Sequence, residues 1–208
     1  LVLGIALVQR GRIAAACQAA GRPASDVRLV AVCKTFPASA VREAASLGQT
    51  AFGENRFQDA EPKLRELADL PLVWHFLGQI QTNKLHRILE RFAVIESIDR
   101  VEVLEKAERF LGERGLRRDG LLEVHIAGEA TKAGFAAAEL EALLASGALK
   151  KYAHLRVRGL MGIAPNTPDR VAIRASFDLL KKLYDRGRAA GHAWDTLSMG
   201  MSSDLEEA

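Results

Sequence analysis

The chain has 208 residues and a formal net charge of +3, with 49% apolar and 26% charged residues. That length supports one sizeable globular core and is short for two, and the composition excludes the disordered and membrane-embedded classes. So small a positive balance does not by itself point to nucleic acid or a membrane surface. The two cysteines, Cys17 and Cys33, lie far apart with no Cys-x-x-Cys or Cys/His cluster, so no metal site is expected and a reducing, cytoplasmic setting is the plain reading.

In chain order, "LVLGIALVQRGR" opens with an apolar run that lacks a preceding basic segment and is interrupted by Arg10 and Arg12. It reads as a leading helix to about Ala20 rather than a signal peptide. No apolar stretch is long enough to cross a bilayer. From Val27 onward strand-like and helix-like segments alternate. The expected strands are Val27–Cys33, Thr50–Glu54, Val73–Gly78, Val94–Ile98, Leu121–Ala127, Leu155–Ile163 and Thr196–Met199. The expected helices are Ala38–Leu47, Phe57–Ala68, Thr82–Phe92, Val101–Arg114, Ala136–Ser146 and Asp169–Ala190. In the fifth of these, Leu140, Leu143 and Leu144 repeat at helical spacing and Gly147 follows as a C-cap.

Alternating strands and helices imply parallel pairing through helical crossovers. An open doubly wound sheet and a (β/α)8 TIM-type barrel both satisfy that rule. The number of βα units favours the barrel, and no GxGxxG follows the first strand to support a dinucleotide fold. The eighth strand is missing, because the sequence stops at Ala208 where the seventh helix is expected. In a barrel the functional residues lie at the C-terminal ends of the strands.

Lys34 ends the first strand, in "LVAVCKTFP". Two-residue alternation puts Val30, Val32 and Lys34 on one face and Ala31 and Cys33 on the other. An amine turned into the barrel mouth would be partly desolvated, which lowers its pKa and makes it a nucleophile toward aldehydes. The alternative is a lysine that snorkels at a strand end. Asn55 and Glu54 close the second strand, His75 the third and Met161 the sixth. Each has a structural explanation of its own: a helix cap, a core histidine, barrel filling. "SMGMSSDLEEA" offers Ser198, Gly200 and Ser202, with a helix expected from near Ser203. Hydroxyls, accessible backbone N–H groups and a helix N-terminus suit a phosphate, although the same residues could be an ordinary cap. An amine at one end and a phosphate cradle at the other fit a phosphorylated aldehyde, with pyridoxal 5′-phosphate (PLP) and a phosphosugar aldehyde as rivals.

The sequence resembles the pyridoxal phosphate homeostasis proteins, also called the proline synthase co-transcribed family. The matching stretches are "LVAVCKTFP", "AFGENRFQDAEPK", "WHFLGQIQTNK", "IESIDR", "GEATKAGF", "VRGLMGIAP" and "LSMGMSSDLEEA". The resemblance runs from about Val27 to the last residue. It implies a single domain over 1–208, similar to the N-terminal domain of alanine racemases and truncated at its C-terminal end. It further implies that Lys34 carries PLP as a Schiff base, with Asn55, His75, Met161, Ser198 and Gly200 lining the pocket. The protein would buffer and deliver the cofactor to apo PLP-dependent enzymes as a cytoplasmic monomer, without catalytic residues of its own. Two departures stand out: Cys33 occupies a place where the family usually has Ser, and the Arg-Ile-Gly segment of the eighth strand is absent.

A racemase-like enzyme is the alternative. It would need an acid/base on each face of the cofactor, and neither Tyr152 nor Tyr184 is expected at the functional end. A basic surface module is a third reading, resting on "LGERGLRRDG" and "KKYAHLRVRG". Both fall largely in helix-to-strand connections, at the opposite end of the fold, and lack an interleaved aromatic platform, so no nucleic-acid partner is expected. Lys132, after the fifth strand, is expected to sit in water, with a role in transfer as the alternative.

Overall fold

The computed structural model describes residues 2–128 and 133–208. They divide into two compact units, Leu1–Gly78 and Gln79–Ala208.

The first unit contains α1 (Val2–Ala19), β1 (Ala31–Val32), α2 (Ala38–Ser46), β2 (Ala51–Glu54), α3 (Phe57–Glu66) and β3 (Val73–Phe76). β1 pairs with β2, and β2 with β3, all parallel. Partners in a parallel pair share a face, so the register separates two sets of side chains. Phe52 and Glu54 of β2 share one face with Trp74 and Phe76 of β3. α3 covers this face, presenting Phe57, Ala60 and Lys63 as its buried stripe. Phe52 and Trp74 meet there with ring centroids 5.8 Å apart. Each fully buried side chain of this size contributes about 1.5–3 kcal/mol. On the other face Val32, Gly53 and His75 form one row.

The second unit contains α4 (Leu85–Arg91), β4 (Val94–Ile98), α5 (Val101–Arg114), β5 (Arg118–Glu123), α6 (Ala137–Ala145), β6 (Leu155–Met161), α7 (Arg170–Ala189) and β7 (Thr196–Ser198). β4, β5, β6 and β7 pair in that order, all parallel. α5 ends at Gly115 in the left-handed region, and Gly147 takes the same conformation after α6. Asp169 caps α7 by accepting the N–H groups of Val171 and Ala172. Gly159 of β6, at φ +151°, runs so close to β7 that a Cβ there would collide with the Thr196 carbonyl.

Both units thus repeat strand and helix with parallel pairing in sequence order, and neither contains a reversal of strand order. A doubly wound sheet needs such a reversal. The fold class is the α/β, TIM-type one expected from the sequence.

Several boundaries differ from expectation. β1 is paired at Ala31–Val32, shorter than the expected Val27–Cys33, and Val27 and Val32 are 36% and 46% exposed. β5 starts earlier than expected because two charged residues disguise its beginning. Arg118 donates from Nε to the Leu89 carbonyl, and Asp119 accepts from Arg156 and Arg158. The helix expected from Ser203 is a series of turns. Among the described residues no helix is long and apolar enough to cross a membrane.

Candidate functional site

Three of the predicted site residues belong to the first unit. Lys34, expected to end the first strand, lies two residues beyond β1, in a turn closed by the Phe36 N–H donating to the Cys33 carbonyl at 3.0 Å. The partial burial expected for its amine is not found, since Lys34 is exposed. Among the described residues that amine makes no hydrogen bond or ion pair. Asn55 follows β2 directly and is half-buried. Gly78 passes so close to it that a Cβ would collide with the Asn55 carbonyl, so the end of the third strand segment needs glycine there. His75 is buried, at 6% exposure, in the row of Gly53 and Val32.

Behind the Lys34 turn, on the helix-covered face, lies a buried polar cluster. Lys63 of α3 donates to Glu54 Oε1 at 2.5 Å and to the Cys33 carbonyl at 2.6 Å. Cys33 Sγ donates to the same carboxylate oxygen at 3.2 Å. Cys33 therefore faces the helices, as alternation implied. Burial, then the charge of Glu54 and its hydrogen bond, push the Cys33 thiol up to about 12. It stays protonated, as a donor, at any physiological pH. Glu54 is fully buried, and its second oxygen, Oε2, has no hydrogen-bond partner among the described residues. Lys63 could have been noticed in the sequence, because it falls on the apolar stripe Phe57, Ala60, Lys63, where a lysine needs a buried partner.

The other three predicted residues belong to the second unit. Met161 ends β6, is 3% exposed, and pairs in register with Glu123 on one side and Ser198 on the other. Ser198 is half-buried at the end of β7. Its hydroxyl donates to Glu96 Oε2 at 2.6 Å, and Glu96, on β4, is 2% exposed. Gly200 is exposed at φ +86°. A Cβ there would lie 2.6 Å from the Ala208 Cβ. In the following turn the Met201 N–H donates to Asp204 Oδ1 at 2.5 Å. Glu123, pushed up to about 7 by burial and then by the charge of Asp99, stands in the Met161 row. Asp99 itself is paired with Arg100 at 2.5 Å.

The sequence reading passed over Glu96, Asp99 and Glu123. A glutamate inside the otherwise apolar strand "VIESI" was the available clue, since ionised side chains are seldom fully buried without a partner. Lys132 lies outside the described residues. Tyr152 precedes β6, at the end opposite Met161, and Tyr184 lies in α7, its ring stacked on Trp194.

Parallel strands in sequence order, alternating with helices, place the chain in the α/β, TIM-type class, with Lys34 beyond β1 and Ser198 at the end of β7. The family model for the alanine racemase N-terminal domain matches residues 8–208. A relative from Pseudomonas aeruginosa named pyridoxal phosphate homeostasis protein is 46% identical over 200 residues, covering 95% of this chain and 84% of its own. The structure of PipY from Synechococcus elongatus with PLP bound is 37% identical. It superposes with a TM-score of 0.82 over 94% of this chain and 92% of that one. Alanine racemase from Streptomyces lavendulae, at 14% identity and a TM-score of 0.74, shares the fold over 94% of this chain and 51% of its own. The chain belongs to the alanine racemase N-terminal domain family and, within it, to the pyridoxal phosphate homeostasis proteins.

Proposed function

We propose that this chain holds PLP at the C-terminal ends of its strands and releases it to enzymes that lack the cofactor. Lys34 Nζ is the point of covalent attachment. Ser198 and Gly200 receive the phosphate, while Asn55, His75 and Met161 line the pocket. When bound, the cofactor supplies an aldehyde that condenses with amines and a ring that withdraws electrons.

The residues present fit such a group. An aldehyde needs an accessible amine, and Lys34 offers one that is exposed and unengaged among the described residues. That observation carries the reading. A hydroxyl, and the backbone N–H of a glycine with no side chain to screen it, suit a phosphate. Exposure of the amine also suits transfer, because a second amine can reach the attachment point. The free, buried thiols of Cys17 and Cys33 are in keeping with a cytoplasmic setting, and we take the protein to act there as a monomer.

The racemase reading is not favoured. It requires a second acid/base, and both tyrosines stand away from the strand C-terminal ends. The basic-surface reading has as little support, since Arg156 and Arg158 are neutralised by Asp119 and Asp195.

The test is to load the protein with PLP, reduce with borohydride and map the label by mass spectrometry. The label is expected on Lys34 and absent from Lys34→Ala. Equal labelling of Lys34→Ala at other positions would overturn the assignment.

A further inference from the structure

We propose that Lys63 is a positioning residue for Lys34: by donating to the Cys33 carbonyl it fixes the turn from which the Lys34 amine meets an aldehyde. The inference rests on the reading above, in which Lys34 is the point of attachment.

Cys33 and Lys34 share one peptide unit, and a peptide unit is planar. Fixing the Cys33 carbonyl therefore fixes the Lys34 N–H and the direction in which the chain enters Lys34. The pairing of β1 with β2 runs to Val32 and Gly53, and the Cys33 N–H still donates to the Gly53 carbonyl at 2.9 Å. The carbonyl of Cys33 is held differently. It accepts from Lys63 Nζ at 2.6 Å and from the Phe36 N–H at 3.0 Å. The second bond belongs to the turn itself, whereas the first reaches in from α3. An ammonium donor at this distance makes a charge-assisted bond, roughly twice as strong as a neutral one. Glu54 Oε1, 2.5 Å from the same nitrogen, holds the ammonium in place.

A buried ion pair is weak evidence for stability, because well-packed apolar residues of similar volume often do as well. Lys63 is 9% exposed and Glu54 0%, so two methionines could fill their space. Methionines would not supply a donor to the Cys33 carbonyl. Lys34 itself is exposed, so its aim depends on the backbone that carries it more than on packing around its side chain. Attachment needs that aim: the lysine nitrogen bonds the aldehyde carbon, and the aldehyde oxygen leaves as water with the two amine hydrogens. Holding a reacting group in the right direction spares that step part of its orientational search. Lys63 is no rival nucleophile, because its nitrogen is buried and committed to two acceptors.

The test compares the parent with Lys63→Met, Lys63→Met/Glu54→Met and Leu67→Ala. The double variant removes both buried charges and keeps the test open where the single variant fails to fold. Leu67→Ala opens a cavity at the end of α3, where Leu67 is 1% exposed, without removing a donor of the turn. The probes are PLP and pyridoxal, which lacks the phosphate. Label trapped on Lys34 by borohydride is timed by mass spectrometry, and hydrogen exchange at the Phe36 amide is followed with neither probe present. The folded double variant is expected to take label from both aldehydes about tenfold more slowly, and its Phe36 amide to exchange about tenfold faster, for the loss of one charge-assisted bond. Leu67→Ala should stay near the parent in both. Parental labelling and exchange in the double variant would overturn the proposal. So would an equal loss in Leu67→Ala, which would assign the effect to general instability, or a loss confined to PLP, which would place it at the phosphate. Exchange needs no aldehyde, so the two readings fail separately. A loosened turn with no Lys34 label in the parent sinks the attachment point, and a labelled parent with no loosening in the double variant sinks the role of Lys63.

Discussion

The two units handle buried charge in opposite ways. In the first, Glu54 is matched by Lys63 at 2.5 Å, and the pair lies on the helix-covered face, behind the Lys34 turn. In the second, Glu96 is held by a neutral hydroxyl at 2.6 Å, and Glu123 is raised to about 7 by burial and by Asp99. The contrast separates two uses of an expensive group. A compensated pair fixes backbone: Lys63 also ties down the carbonyl of Cys33, the residue before Lys34. A carboxyl raised by burial, as Glu123 is, instead makes stability depend on pH.

The largest expected effect comes from breaking the compensated pair. Lys63→Met removes one partner and leaves Glu54, whose Oε2 already lacks a hydrogen-bond partner among the described residues, as a buried charge. Removing one member of a buried pair costs about 3–5 kcal/mol. Urea unfolding should report a loss of that size, with the slope unchanged. A loss below 1 kcal/mol would mean that the cluster does not hold the Lys34 turn.

Glu123 sharpens the other side of the comparison through pH. Its pKa is raised in the native state from 4.5 to about 7, so between those values the native state binds more protons than the unfolded one. By linkage, stability must fall as pH rises through that window. The protonated form is favoured by folding, and the penalty is fully developed only above about 7. Glu123→Gln, which is permanently neutral, should gain about 1–3 kcal/mol over the parent at pH 8 and nothing near pH 4. Thermal melts of both proteins from pH 4 to 8 will show whether the curves converge at the acid end. Curves that stay parallel would contradict the assignment.

Periodicity located the strands and helices because the pattern of one covered face is strong. β4 and α5 fall within the expected bounds, Val94–Ile98 and Val101–Arg114. The failures have a physical pattern as well. β5 begins with Arg118 and Asp119, whose charges are neutralised by partners distant in sequence, and no local window contains those partners. Lys34 was legible as a residue type in an unusual place. Its exposure was not, because alternation fixes the face of a strand residue and Lys34 lies in the turn beyond. Lys63 and Glu96 were legible as charged residues among apolar ones, but the contact that Glu96 makes was not. One partner of Glu96 is Ser198, 102 residues away, and only the fold brings them together.

The smallest expected effect is at Cys33, and its smallness follows from two opposed terms. The thiol is a weak donor, 3.2 Å from Glu54 Oε1, and its pKa of about 12 keeps its proton in place. Serine at this position would donate a stronger, charge-assisted bond to the same carboxylate. Its oxygen is smaller and sits nearer its own Cβ, so it leaves part of the space now filled by sulfur and gives up apolar contact in a site where Cys33 is 5% exposed. The two terms are each about 1 kcal/mol and of opposite sign. Cys33→Ser should therefore shift the melting temperature by no more than about 2–4 °C in either direction. A fall comparable to that of Lys63→Met would show that the sulfur holds the Lys34 turn, and that the Lys63–Glu54 pair alone does not.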